Sequence, residues 1–151
     1  MITKKISLAL IFFLFALFVF GFYIDENSAG AGLYSGDLIH IWSNQETFND
    51  YTLQEALNFT SVFSPEHYQS SKMPLSYILN KFLNPFAVTI EGFRKSVFFI
   101  SCLVPFFLYV TLKNKYSKID KPLVGLISSF IFLSPYFRTA GYWGLEENYG
   151  T

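Results

Sequence analysis

Two adjacent carboxylates, Asp25 and Glu26, stand where a run of nineteen uncharged, mostly apolar residues, Ile6–Ile24, stops. A carboxylate at the surface of a bilayer can act as a general base toward a hydroxyl or amine acceptor. Lys72 and Arg138 are the cations of interest, because Lys and Arg at that depth can hold a phosphate or pyrophosphate. Together the four residues suit a lipid-phosphate substrate whose tail stays in the bilayer and whose head reaches the acids. Glu146 and Glu147 follow Arg138, and the sequence does not assign them a role. Each candidate has a plainer reading beside it. Acids often follow a span because the helix has ended; Asp37 can equally cap a helix; Lys72 can snorkel; Arg138 can mark the interface.

Other reactive residue types carry less. His40 and His67 are isolated and have no metal-ligand spacing. The single cysteine, Cys102, sits inside an apolar run and has no partner for an internal disulfide. Asn58-Phe59-Thr60 fits a glycosylation acceptor, a three-residue match that is frequent by chance. The Gly-rich stretch after Ser28 lacks the Gly-Lys-Ser/Thr ending of a phosphate loop.

The elements that must position these groups follow from composition and pattern. The chain is 52% hydrophobic and only 15% charged, where a soluble domain is closer to a quarter charged. Net charge is zero, so nothing favours a nucleic-acid surface. Ile6–Ile24 is roughly 28 Å long as a helix, about one hydrocarbon core. A secretory signal peptide competes with this reading, since Ala29-Gly30-Ala31 has a small-x-small cleavage pattern. The apolar core of a signal peptide is about 7–15 residues, shorter than this run, so the comparison favours a permanent span. Ser96–Leu112 and Pro122–Phe137 are two further uncharged runs, the first with Pro105 as an expected kink. The second is short for a full span, so its last turn is expected among head groups or other helices.

Between the first two runs the pattern predicts short helices. Asp37 can cap one through Phe48 that carries Ile41 and Trp42, and another fits Leu53–Phe63. A third starts after Ser70 or Ser71, with Pro74 in its first turn. In it Leu75, Ile78, Leu79, Phe82, Leu83 and Phe86 fall on one face, with Ser76, Asn80, Lys81 and Asn84 opposite. Such a helix between two spans is expected in the interface, with its apolar face against lipid or neighbouring helices. Pro85 ends it.

The fold class expected is therefore an all-α membrane protein with one membrane domain over 1–151. Its spans are about 6–24, 95–112 and 122–138, joined by an extracytoplasmic loop 25–94 and a cytoplasmic loop 113–121. Loop 113–121 carries four lysines; with Lys4 and Lys5 it sets the N-terminus in the cytoplasm by the positive-inside rule. Arg94 and Lys95 run against that rule, which weakens in a loop this long. Asp25, Glu26, Lys72 and Arg138 then share the outer face. The abrupt ending after an aromatic, acidic tail predicts a fragment of a larger multi-span protein.

The order of a lysine-bearing terminus, a first span, Asp25-Glu26 at its outer end, a long outer loop and Lys72-Met73-Pro74-Leu75-Ser76-Tyr77 resembles the start of the GT-C membrane glycosyltransferases. It looks closest to the protein O-mannosyltransferase and aminoarabinose transferase branch. The resemblance implies transfer of a sugar from a polyprenyl-phosphate donor to a glycan, lipid or protein acceptor on the extracytoplasmic face of a bacterial inner membrane. It implies Asp25 as the base, Glu26 in support, Lys72 on the donor phosphate and Arg138 as a second phosphate contact. No metal is required by that chemistry, and a divalent metal is compatible with it. The sequence departs from the family after the acid pair, where Asn27-Ser28-Ala29-Gly30 replaces the usual aromatic or basic residues. A small non-enzymatic membrane accessory or assembly protein is the alternative from another class.

Overall fold

The computed structural model describes residues 4–28, 37–61 and 74–144, and among them every regular element is helical. Lys72, His67, Glu146 and Glu147, the small-residue motif at 29–31 and the side chain of Asp37 lie outside the described residues.

Helix α1 spans Lys4–Tyr23. Almost every position is apolar, so no single stripe faces inward; Leu14, Phe18, Gly21 and Phe22 are buried while Phe12, Phe13 and Phe20 point out. A helix that is apolar all round belongs in a core or in lipid. Helices α2 (Asp37–Asp50), α3 (Leu53–Ser61) and α4 (Leu75–Leu83) form the polar segment after it. Thr52 and Glu55 start α3 as a reciprocal capping box: the Glu55 carboxylate accepts from the Thr52 amide at 3.0 Å, and the Thr52 hydroxyl accepts from the Glu55 amide at 3.4 Å.

Helix α5 runs from Ile90 to Lys115, started by the Thr89 hydroxyl accepting from the Gly92 amide, and continues as one helix through Pro105. Its last turn holds Lys113 and Lys115, cations at the helix end where the dipole favours them. Lys113 Nζ donates to the Ser117 and Ile119 carbonyls, closing the turn into α6 (Lys121–Ser129). α6 packs against both α1 and α5. Its Gly125 lets Ile11 of α1 approach closely, the small-residue contact by which apolar helices pack in lipid. The buried hydroxyls of Ser101, Ser128 and Ser129 each donate to the carbonyl four residues back, so they need no water.

The third apolar run is not one straight helix. After α6 come a 3₁₀ turn, Phe130–Leu133, and then α7 (Pro135–Trp143), bent by 69° from the preceding helical segment. Pro135 is the physical cause. It cannot donate to the preceding turn, and it pushes Ser134 to an extended backbone. Ser134 then caps α7, accepting from the Phe137 amide. By length and composition, α1 and α5 can each cross a membrane, and the bent α6–α7 pair counts as a third candidate if it is one span.

The core lies where α1, α5, the 3₁₀ turn and α7 meet. Phe18, fully buried, touches the rings of Phe98, Phe132, Phe137 and Tyr142 at centroid separations of 4.8–5.6 Å. Burying one such ring contributes about 2–3 kcal/mol. This aromatic cluster fixes the end of α1 against α5 and α7, and so fixes the acid pair.

Candidate functional site: an acid turn held by two arginines

α1 ends in a Schellman motif. The Glu26 amide donates to the Gly21 carbonyl at 3.0 Å and the Asp25 amide to the Phe22 carbonyl at 3.3 Å. That pattern puts Asp25 at the position where glycine is the usual residue, because the backbone there is left-handed. Asp25 has φ 53° and Asn27 has φ 62°. Asp and Asn tolerate this region better than other side chains, yet the conformation still costs on the order of 1 kcal/mol relative to glycine. The turn projects the Asp25 and Glu26 side chains from successive corners of a tight loop.

Two carboxylates at a helix C-terminus face the negative end of its dipole. Two arginines offset this. Arg94, early in α5, donates from Nη2 to Asp25 Oδ1 at 2.5 Å and from Nε to the Tyr142 carbonyl at 2.6 Å. Its guanidinium lies between the rings of Phe22 (4.7 Å) and Trp143 (4.0 Å), a cation–π sandwich in an apolar setting. Arg138, early in α7, grips Glu26 with two prongs: Nε to Oε1 at 2.8 Å, and Nη2 to Oε2. Its Nη1 donates to the Phe132 carbonyl at 3.1 Å. The Trp143 indole donates to the Glu26 carbonyl at 2.8 Å, the Tyr142 hydroxyl to the Phe18 carbonyl at 2.7 Å, and the Asn27 amide to the Thr139 hydroxyl at 2.7 Å.

Gly21 makes room for the pair. A Cβ there would lie 2.6 Å from Glu26 Oε2 and 2.7 Å from Arg138 Nη2, and would also collide with the Tyr142 hydroxyl. The ion pair therefore sits in the notch left by a missing side chain.

The two acids are not equivalent. Glu26 is 30% exposed against 13% for Arg138, whereas Asp25 is 56% exposed. The Arg138 hydrogen bonds hold the Glu26 carboxyl below its ordinary value of 4.5, against the opposing effect of burial. Asp25 has one oxygen on Arg94, and its Oδ2 makes no hydrogen bond to the described residues. Chemically, Glu26 is a locked anion that ties α1 to α7, and Asp25 is an oriented carboxylate open to an incoming group.

Of the expected site residues, the structure brings Asp25, Glu26 and Arg138 together. Three participants were not singled out by sequence reading: Arg94, Tyr142 and Trp143. Arg94 had a signal, since it broke the positive-inside pattern. Tyr142 and Trp143 had only their place in an aromatic tail. Asn58 lies inside α3 and accepts from Gln54 at 3.3 Å, while Thr60 is buried with its hydroxyl on the Ala56 carbonyl. That helical setting does not present Asn58-Phe59-Thr60 as an extended acceptor. Among the described residues no group of three or more His, Cys, Asp or Glu is arranged to hold a metal.

Among the described residues every regular element is helical, two or three helices are long and apolar enough to cross a membrane, and a paired-acid turn closes the first. Compared with protein-family models, curated proteins and solved structures, the chain matches none.

Proposed function

We propose that this chain supplies the acid-bearing outer face of a GT-C-type membrane glycosyltransferase. The sugar comes from a polyprenyl-phosphate donor and goes to a glycan, lipid or protein acceptor. The observation that carries the reading is Asp25: a solvent-open carboxylate in a left-handed backbone, oriented through one oxygen by the partly buried Arg94. Strained backbone in a well-determined setting is a mark of functional positions. Asp25 Oδ2 takes the proton of the acceptor hydroxyl as that oxygen attacks the anomeric carbon of the sugar. The bond from that carbon to the phosphate oxygen breaks, and polyprenyl phosphate leaves with inversion at the carbon. Lys72 pairs with the leaving phosphate. Arg138 is the weaker, second contact, because reaching a phosphate means sharing its hold on Glu26. Glu26 supports the turn that aims Asp25. The chemistry needs no metal, and a divalent ion is compatible with it. In this reading the N-terminus and loop 113–121 are cytoplasmic, and the acid turn faces the periplasm of a bacterial cell.

The test is Asp25→Asn. Asn keeps the left-handed turn and the size of the side chain but cannot take a proton. Transfer from polyprenyl-phosphate-linked sugars, followed in membranes that hold the protein, should fall by a factor of about 10²–10⁴, the usual share of a general base. Transfer at the wild-type rate would remove the base assignment. The two arginine–carboxylate pairs favour a second reading, a non-enzymatic membrane protein in which the acid turn is only a clasp. In that case membranes with and without the protein release polyprenyl phosphate from the same donors equally fast.

A further inference from the structure

Helix α4 is inverted relative to a helix on a water-soluble core. Its polar side faces the protein. Tyr77 and Asn80 are buried, and the Tyr77 ring stacks on Phe48 of α2 at 5.4 Å. Lys81 Nζ donates to the carbonyls of Phe48 and Tyr51, capping the C-terminal end of α2. Gln45 Nε2 donates to the Tyr77 carbonyl at 3.3 Å, and Asn49 Nδ2 to the Ala87 carbonyl at 2.7 Å. The opposite side is apolar and turned away from the protein. Leu75, Leu79, Phe82 and Leu83 are all exposed, as are Phe86 and Val88 just beyond the helix. Such a contiguous apolar patch marks a contact surface. Both faces are favourable at once only where the outside is itself apolar.

The depth of α4 says what that outside is. Asn84, at its end, donates to the Ser96 hydroxyl of α5 at 2.7 Å. Ser96 is the first residue of the uncharged run Ser96–Leu112, and the charged residues Glu91, Arg94 and Lys95 precede it. The end of α4 is thus level with the point where α5 turns from charged to apolar. This is also the end of α5 that holds the acid turn of α1. A second copy or another protein could cover an apolar face anywhere; a face at this depth, level with the start of an α5 run that also exposes Phe99 and Leu103, fits the edge of the hydrocarbon.

We propose that α4 is an interfacial helix, its Leu75–Leu83 face together with Phe86 and Val88 seated in lipid at the bilayer surface. It carries α2 on its polar side and so fixes the height of the 37–61 segment above the membrane. This inference is independent of any glycosyltransferase activity, since it concerns where the helix lies and not what Asp25 does.

The test places nitroxide labels at Leu79→Cys, Phe82→Cys and Leu83→Cys in a Cys102→Ser background, with Gln54→Cys on α3 as the water-facing control. The protein is reconstituted in phosphatidylcholine–phosphatidylglycerol vesicles. Collision with oxygen, which partitions into lipid, is compared with collision with a water-soluble nickel chelate. The expected result is a severalfold higher oxygen-to-nickel ratio at the three α4 sites than at Gln54→Cys. A nickel-favoured ratio there means water, and low collision with both reagents means a covering protein; either overturns the proposal. Wild-type protein photolysed with a carbene-generating phospholipid provides a second measurement that needs no substitution. Lipid adducts within 75–88 support the interfacial helix, and adducts confined to α1, α5 and α6 refute it.

Discussion

Replacing Arg138 by Gln tests whether the acid turn is held as the structure indicates. The substitution removes a two-pronged charged contact to Glu26 and a donor to the Phe132 carbonyl. Hydrogen bonds to a charged partner contribute about 1.5–3 kcal/mol each when buried. Two act on one carboxylate here, and Glu26 keeps 30% exposure, so water recovers part of the loss. The net cost is then about 2–3 kcal/mol, below the 3–5 kcal/mol of a fully buried broken pair. For a chain of this size that is a drop of roughly 5–10 °C in the midpoint of thermal unfolding. The assay is a double-mutant cycle on detergent-purified protein: wild type, Arg138→Gln, Glu26→Gln and both together. A coupling of about 1.5 kcal/mol or more is expected, because the double variant leaves no uncompensated charge. The cycle has a pH dependence of fixed sign. The folded Glu26 carboxyl lies below its ordinary value of 4.5, so its stabilisation is present above that value and is lost as pH falls through the folded one. The wild type should lose this contribution on acidification below 4.5, and Glu26→Gln should not. Additive single effects, with coupling under about 0.5 kcal/mol, would refute the clasp.

Three more outcomes follow from the same geometry. Gly21→Ala puts a methyl into the ion-pair notch and should destabilise the protein by about 1–3 kcal/mol, the usual cost of overpacking; Gly125→Ala, whose Cβ meets only Ile11 Cδ1 at 3.3 Å, should cost less in the same thermal assay. Asp25→Gly relieves the left-handed strain while removing an exposed ion pair, so its stability should stay within about 1 kcal/mol of wild type; a loss above 2 kcal/mol would show that Arg94 depends on Asp25 for its place. Lys81→Met should fray the last turn of α2, seen as faster amide hydrogen exchange near Phe48 and Tyr51 with little change in α5.

The helices were legible because their signals are local. A run of nineteen uncharged, mostly apolar residues can satisfy its backbone in lipid only as a helix, so α1 followed from composition. The 3.6-residue spacing of Leu75, Leu79, Phe82 and Leu83 gave α4, and Pro85 marked its end. The expectation that this helix lies in the interface, its apolar face against lipid or neighbouring helices, also came from pattern, because two flanking runs implied a membrane beside it. Where local signals were present but overlooked, they concerned boundaries. Thr52-Leu53-Gln54-Glu55 spells the box that starts α3, and Ser134-Pro135 spells the start of α7 and the break in the third apolar run.

The site was legible only in half. Asp25 and Glu26 stood out because charge is costly beside an apolar helix, and Arg138 because it ends an apolar run. What divides their roles is long-range. Arg94 lies 69 positions from Asp25, and Arg138 lies 112 from Glu26. No periodicity connects such distances. Pairing depends on the packing of Phe18 and Phe22 against α5 and α7, and on the bend at Pro135 that turns α7 across the end of α1. The sequence by itself determined which segments are apolar helices and that an acid pair closes the first. Only the tertiary structure decided that Glu26 is locked and Asp25 open, because that difference is made by which arginine each carboxylate meets and how much water it keeps.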